Sequence, residues 1–291
     1  MQVSIEFCGK REYDIGRKKQ ESGVLSMLWN LRESSVAVGG SRVDYAVFGK
    51  GERPFVIIPG LSLRDVRGAG AGLAWMYRRF AGDYRVYVLD KKADIHEGCT
   101  VADLAQDTVD AMQALGIGKA SLLGVSLGGM IAQEIAAVHP EMVDKLILGV
   151  TAARTNDTMQ AVVGHWIDLA ERGDFGAIVL DMLTVMYSPR YAERYRWLFP
   201  ILAKCAKPKN EARFIRLARA CLTCEAYERL GEITAPTLVL GGEDDRIVTG
   251  EASREIAARL GCEIYMYEGL GHAAYEEAAD FNERTERFLK A

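Results

Sequence analysis

Long apolar runs are missing from this 291-residue sequence, and none approaches the roughly 18 residues that would suggest a bilayer span. Basic blocks are missing as well. Lys and Arg number 36 against 40 Asp and Glu, a formal charge of −4 that serves solubility and offers nucleic acid no positive surface. The opening stretch, "MQVSIEFCGKREYDIGRKKQ", has early charges and no apolar core, so it does not read as a secretory signal. Cysteine is too sparse for a disulfide framework. The six (Cys8, Cys99, Cys205, Cys221, Cys224 and Cys262) are scattered, and only Cys221 and Cys224, in "CLTC", have metal-like spacing. That pair stands alone and reads as buried thiols. Repeats and low-complexity tracts are absent, and there are only four histidines. The expectation from these features is a cytoplasmic protein with reduced thiols that acts on a small molecule and binds neither nucleic acid nor membrane.

What is present is an alternation. "SVAVGG" and "RVDYAVFG" read as two antiparallel strands joined by a Gly-Gly turn. "PFVIIPG", "YRVYVLD", "KASLLGVS", "DKLILGV" and "TLVLGG" are short continuous apolar runs, as expected of strands buried on both faces, with "CEIYMYE" a more exposed version. Helical patterns lie between them. In "TVADLAQDTVDAMQALGI" the apolar residues recur three or four apart after an N-cap at Thr100. The expected fold is α/β, a mostly parallel central sheet with helices on both faces. The alternation breaks over residues 152–232, which carry helical periodicity and no strand. The expected organisation is therefore an N-terminal arm at 1–35, a core in two parts at 36–151 and 233–291, and an inserted helical cap between them.

Chemistry enters at "LLGVSLGGMIAQEIA". Ser126 sits between Gly124 and Gly128, after a strand and before a helix, the context that a strained nucleophile elbow requires. A hydroxyl at a helix N-terminus also meets unpaired backbone N–H groups and the positive end of the helix dipole. A serine hydroxyl is a weak nucleophile and needs a base held by an acid. His139 ends the helix after the elbow, His96 lies in a polar loop, and His165 falls in the helical insertion, where it is a candidate to touch substrate. His272, in "GLGHAAYEE", follows the last strand on a glycine-flexed loop and is the best-placed base. The acid is sought after the preceding strand, where "LVLGGEDDRIV" supplies Glu243, Asp244 and Asp245.

With "GVSLGG", "PTLVLGGEDDRIV" and "GLGH" in this order, the chain resembles the α/β-hydrolase fold superfamily over roughly residues 36–151 and 233–291. The resemblance implies the inserted helical cap, a Ser126–His272–acid triad, and no metal or organic cofactor. The pattern G-x-x-D, counted from Gly242, picks Asp245, with Asp244 second. It also implies an oxyanion hole of two backbone N–H groups, Leu127 after the nucleophile and, by position, Leu61 after the third strand with Ser62 close by. Relatives usually carry His-Gly in that loop; here Pro59 replaces the histidine. A second departure follows Asp90, where "KKADIHEG" replaces a glycine-rich turn. The implied reaction is hydrolysis of a small to medium carboxylic ester, lactone or thioester through an acyl-enzyme. Carbon–carbon bond hydrolysis and acyl transfer use the same triad, and some relatives are small-ligand receptors. Relatives with haloalkane or epoxide chemistry carry a carboxylate at the elbow, where this chain has Ser126, so the resemblance disfavours that chemistry. Trp166 and Met186 of the insertion are candidate pocket residues, with Ser62 and His165.

Overall fold

A computed structural model describes residues 29–204 and 206–291. Residues 1–28, which hold most of the expected arm, and Cys205 lie outside the described residues. Eight strands form one sheet in the order β1-β2-β4-β3-β5-β6-β7-β8. They are β1 (Arg32–Val38), β2 (Ser41–Phe48), β3 (Arg53–Ile58), β4 (Tyr84–Lys92), β5 (Ala120–Val125), β6 (Val143–Gly149), β7 (Thr237–Gly242) and β8 (Glu263–Tyr267). β1 and β2 are an antiparallel hairpin and β2 pairs antiparallel with β4; every pairing from β4 to β8 is parallel. The core begins at Arg32, inside the stretch expected as arm. Arg32 and Glu33 belong to an edge strand whose first four residues are exposed, so no apolar alternation announces it.

The central strands are buried on both faces, and the period-2 pleat deals their side chains to two cores. Val56 and Ile58 of β3, Leu122 of β5, Leu146 and Leu148 of β6 and Val239 of β7 face one core. Phe55, Ile57, Leu123, Ile147, Leu238 and Leu240 face the other. Helix α1 (Gly70–Met76) and the C-terminal Phe281–Lys290 helix cover the second face through Ala74, Phe281 and Leu289. Helix α2 (Val101–Ala114) and α3 (Leu127–Val138) cover the first. Thr100 caps α2 as expected, in a reciprocal capping box with Asp103. Helix α3 departs from a one-sided amphipathic pattern: every residue from Leu127 to Ala136 is buried, and Val138 is exposed.

Between β6 and β7 the described residues contain no strand. They form α4 (Asp157–Glu171), α5 (Phe175–Met186), α6 (Pro189–Tyr195), α7 (Phe199–Lys204) and α8 (Glu211–Cys221). The two ends of this insertion are stitched together at its neck. Ala226 N–H donates to Ala153 O (2.7 Å) and Thr155 N–H to Cys224 O (3.1 Å), around an antiparallel bridge between Arg154 and Glu225. After β7 come α9 (Gly250–Leu260), then, past β8, the short α10 (Ala274–Glu277) and α11 (Phe281–Lys290). Among the described residues no helix is long and apolar enough to cross a membrane.

Candidate active site

Parallel strands end on one side of the sheet, and the loops after β3, β5, β7 and β8 gather there. Ser126 follows β5 directly with φ 54° and ψ −121°. A non-glycine residue in the left-handed half of backbone space costs about 1–3 kcal/mol, so the surroundings must hold it. They do so from three sides. Ser126 N–H donates to Gly149 O (2.9 Å), while Ser126 O accepts from Gly129 N–H (2.8 Å) and from the Thr151 hydroxyl (2.7 Å). The glycines are required by close approach. A Cβ at Gly124 would run into the backbone of Gly128 and Gly129, and one at Gly128 would run into the Ile58 carbonyl at the end of β3 and the Pro59 carbonyl of the loop after it. The elbow is thus wedged against β3's loop as well as its own helix.

Acid and base come from two loops laced to each other. Glu243 N–H donates to Tyr267 O (3.0 Å) and Asp244 N–H to Leu270 O (2.9 Å), and a Cβ at Gly242 would strike Gly271 O. The insertion fixes the far side of the same loop, where Ala273 N–H donates to Met186 O (2.8 Å). In this frame His272 Nε2 lies 2.9 Å from Ser126 Oγ and His272 Nδ1 lies 2.7 Å from Asp245 Oδ2. Asp245 Oδ1 accepts two backbone hydrogen bonds, from Ile247 (2.8 Å) and Val248 (3.0 Å). Burial pushes the Asp245 carboxyl upward. The His272 charge, the His272 hydrogen bond and the two amides outweigh that and hold it below the ordinary carboxylate value. Asp244, the second choice, is exposed.

This arrangement lines up a hydroxyl, an imidazole and a fixed carboxylate. With Nδ1–H donated to Asp245, Nε2 is left to accept the Ser126 proton, which is the geometry of a proton relay. Leu127 N–H is the first amide of α3 and has no intrahelical acceptor by construction. Leu61, on the loop after β3, lines the cavity over Ser126. Gly60, just before it, packs so closely on the elbow that an added Cβ would sit 3.1 Å from Ser126 Cβ.

A cavity of about 520 Å³, counting the open solvent at its mouth, lies over Ser126 and His272. The sheet side contributes Gly60, Leu61, Val125, Met130, Ile247 and Val248, and the insertion contributes Met159, Val163, Trp166, Met182, Met186 and Cys221. Leu61, Trp166 and Met186 therefore line the cavity over Ser126. Two other candidates do not. His165 stands exposed on the outer face of α4, because the helical period that turns Met159, Val163 and Trp166 inward turns His165 outward. Ser62 is exposed and accepts a hydrogen bond from Arg64 N–H. Tyr275, three residues after His272, lines the cavity and was not expected there; its only signal is proximity to the histidine in "GHAAY".

Beneath the loop after β3 lies a buried group of charges. Lys91 donates from Nζ to Pro59 O and to Gly60 O (2.8 Å for the latter). Burial lowers the Lys91 pKa to about 8, with Asp90 opposing and Arg213 assisting. Arg213, from α8 of the insertion, pairs with Asp90 Oδ1 at 2.9 Å, and both side chains are 9% exposed. The same guanidinium also donates to the Lys91 and Lys92 carbonyls (2.7 and 3.0 Å). The sequence signal was the charged run "DKK" at the end of an otherwise apolar strand.

Cys221 and Cys224 are buried and hydrogen-bond to the carbonyls of Leu217 and Ala152, as thiols packed in a core do. Among the described residues, the one group with metal-like proximity is His96, Cys99 and Asp103. There Asp103 Oδ2 already accepts from Thr100 N–H and Oγ1, and burial, with Asp103 and Asp107 adding to it, pushes the Cys99 thiol up to about 11, so the set is poorly suited to a cation.

Residues 55–284 match the alpha/beta hydrolase family. The chain belongs to that family. Among its curated relatives, a 2-hydroxy-6-oxo-6-phenylhexa-2,4-dienoate hydrolase of Burkholderia cepacia is 30% identical over 243 residues, covering 76% of this chain and 84% of the relative. Among solved structures, an alpha/beta hydrolase enzyme from a Medee basin deep-sea metagenome library superposes with a TM-score of 0.78 at 21% identity, covering 89% of this chain and 98% of the other. The enol-lactonase of Burkholderia xenovorans LB400 superposes with a TM-score of 0.77 at 20% identity, covering 89% and 100%. At those identities the two structures speak for the shared fold.

Proposed function

We propose that this α/β hydrolase is a serine esterase, cytoplasmic and independent of metal or organic cofactor, that hydrolyses small to medium uncharged carboxylic esters or lactones through an acyl-enzyme. The observation that carries the reading is the continuous chain Ser126 Oγ–His272–Asp245, with both contacts under 3 Å. Ser126 Oγ attacks the ester carbonyl as His272 Nε2 takes its proton. Asp245 holds the ring and stabilises the imidazolium. The oxyanion of the tetrahedral intermediate accepts from Leu61 and Leu127 N–H. The intermediate collapses with the alcohol leaving, protonated by His272. Water then attacks the acyl-serine with His272 as base, releasing the acid and restoring the hydroxyl.

The walls support an uncharged acyl group. No Lys or Arg lines the cavity among the described residues, and Trp166, Met182, Met186, Val163 and Met159 make it apolar. The Burkholderia cepacia relative is named for a dienoate, whose carboxylate would be buried here without a cationic partner, at a steep desolvation cost. The helical insertion acts as a cap that covers the acyl group with apolar side chains while leaving the His272 side open to the attacking water. The test is turnover of p-nitrophenyl acetate, butyrate and hexanoate, with fluorophosphonate labelling, by wild type and Ser126→Ala. Both hydrolysis and labelling should fall by at least about 10³-fold in the variant, since loss of the nucleophile leaves only binding and oxyanion donors. Undiminished hydrolysis by Ser126→Ala would end the reading.

A further inference from the structure

We propose that Lys91 is a positioning residue for hydrolysis, aiming the Leu61 N–H at the oxyanion by anchoring the carbonyls of Pro59 and Gly60 from behind the loop. The inference rests on the acyl-transfer reading above and deepens it. In a trans peptide the C=O and N–H of one unit lie in a plane and point in opposite directions. Among the described residues there is no cis bond. Gly60 C=O and Leu61 N–H belong to the same unit, so a carbonyl held toward Lys91 turns that N–H away from Lys91. The other side of the loop is the Ser126 side: a Cβ on Gly60 would sit 3.1 Å from Ser126 Cβ and 3.7 Å from Ser126 Oγ. The second anchor, on Pro59 O, fixes the preceding peptide plane, and the Pro59 ring restricts that residue's φ. Two successive planes are thereby set by one ammonium.

Charge adds to geometry. An ammonium bound to a carbonyl oxygen polarises the whole peptide unit, which makes its N–H a stronger donor. Lys91 is buried and does not line the cavity, so it acts through the peptide and not on substrate. An apolar side chain would fill this strand end without the desolvation cost of an ammonium, as the neighbouring Val86, Val88 and Leu89 of β4 do. The groups facing Lys91 are Asp90 on its own strand and Arg213 and Cys221 on α8. Burial pushes the Cys221 thiol up to about 12, so it stays protonated through the range in which Lys91 loses its proton.

The experiment measures kcat and KM on p-nitrophenyl butyrate from pH 6 to 10 for wild type, Lys91→Met, Lys91→Arg and Ser126→Ala. Lys91→Met is expected to lower kcat by about 10- to 100-fold, part of what loss of a whole oxyanion donor costs, with KM changed less than about threefold. Wild-type kcat should fall on the alkaline side with an apparent pKa near the value of about 8 set by burial. Lys91→Arg, which keeps its charge, should recover part of kcat and lose that alkaline fall. If Lys91→Met keeps kcat within twofold of wild type, the proposal is overturned. Should that variant not fold, Lys91→Arg decides instead: a kcat and a pH profile both indistinguishable from wild type overturn the proposal. Ser126→Ala separates the two levels: turnover surviving there sinks the acyl-transfer reading itself, whereas turnover lost there with Lys91→Met unaffected sinks only the role of Lys91.

Discussion

Asp245 Oδ2 stands 2.7 Å from His272 Nδ1, and the two side chains are 1% and 4% exposed. A carboxylate this dry can be ionised only because its lone pairs are spoken for, two by backbone amides and one by the imidazole. Asp245→Asn keeps the shape but presents an NH₂ group to Nδ1, favouring the tautomer that carries its proton on Nε2. That tautomer cannot accept from Ser126. The expected result is a folded protein with kcat reduced by about 10⁴-fold. Stability follows with a defined sign. The folded-state carboxyl lies below its unfolded value, so the contribution is present above about pH 4 and is lost as pH falls through the folded value. Urea midpoints taken from pH 7 down to pH 2 should therefore converge between wild type and Asp245→Asn on the acid side. Parallel curves would show that the ionised carboxylate does not stabilise the fold.

Two glycines in helices predict opposite outcomes for the same substitution. A Cβ at Gly128, in α3, meets the Ile58 carbonyl, which is backbone and cannot rotate aside. Gly128→Ala should cost at least the upper end of the roughly 1–3 kcal/mol of overpacking, and should displace the loop that carries Leu61, lowering activity with stability. Gly164, in the middle of α4, has nothing within 4 Å of an added Cβ. Gly164→Ala should stabilise by about 0.5–1 kcal/mol through helix propensity, with turnover unchanged. Thermal melts of both variants check the contrast, and a neutral Gly128→Ala would mean that the elbow is not wedged against β3's loop.

The parts of this molecule legible in its sequence are those where one short window carries the constraint. Continuous apolar runs identified the strands because a doubly covered sheet leaves no solvent face, and Gly124-x-Ser126-x-Gly128 marked the elbow because close approach forbids side chains there. Choosing Asp245 over Asp244 needed the G-x-x-D pattern, since three adjacent carboxylates look alike until a fold turns one inward. What was not legible depends on residues distant in sequence. His165 faces solvent and not the cavity, because a helix in an insertion shows its period but not which side will face the sheet. Arg32 and Glu33 concealed an edge strand that needs no apolar residue. The Lys91–Asp90–Arg213 group joins β4 to α8 across more than 120 positions, and nothing local in either segment announces the other.

That group supplies the last prediction. Arg213 anchors the insertion to the core through Asp90 at 2.9 Å and through two backbone carbonyls, in a place where both charges have lost most of their water. Removing one partner leaves the other in weaker company, Asp65 at 3.4 Å for Arg213 and the Lys91 ammonium for Asp90. Arg213→Met and Asp90→Asn should each cost about 3–5 kcal/mol, well above the median of exposed pairs. The double variant should cost less than the two singles added, since the second change relieves the charge that the first left unpaired, with a coupling of about 0.5–3 kcal/mol. Arg213→Met also gives up the Lys91 and Lys92 carbonyls and the 3.4 Å contact with Asp65, losses that Asp90→Asn does not share, and should be the more damaging of the two. Urea titrations of the four proteins measure the cycle. Singles within about 1 kcal/mol of wild type would show that α8 is held by its apolar contacts, Phe214, Leu217 and Ala218, and that the ion pair only sets its orientation.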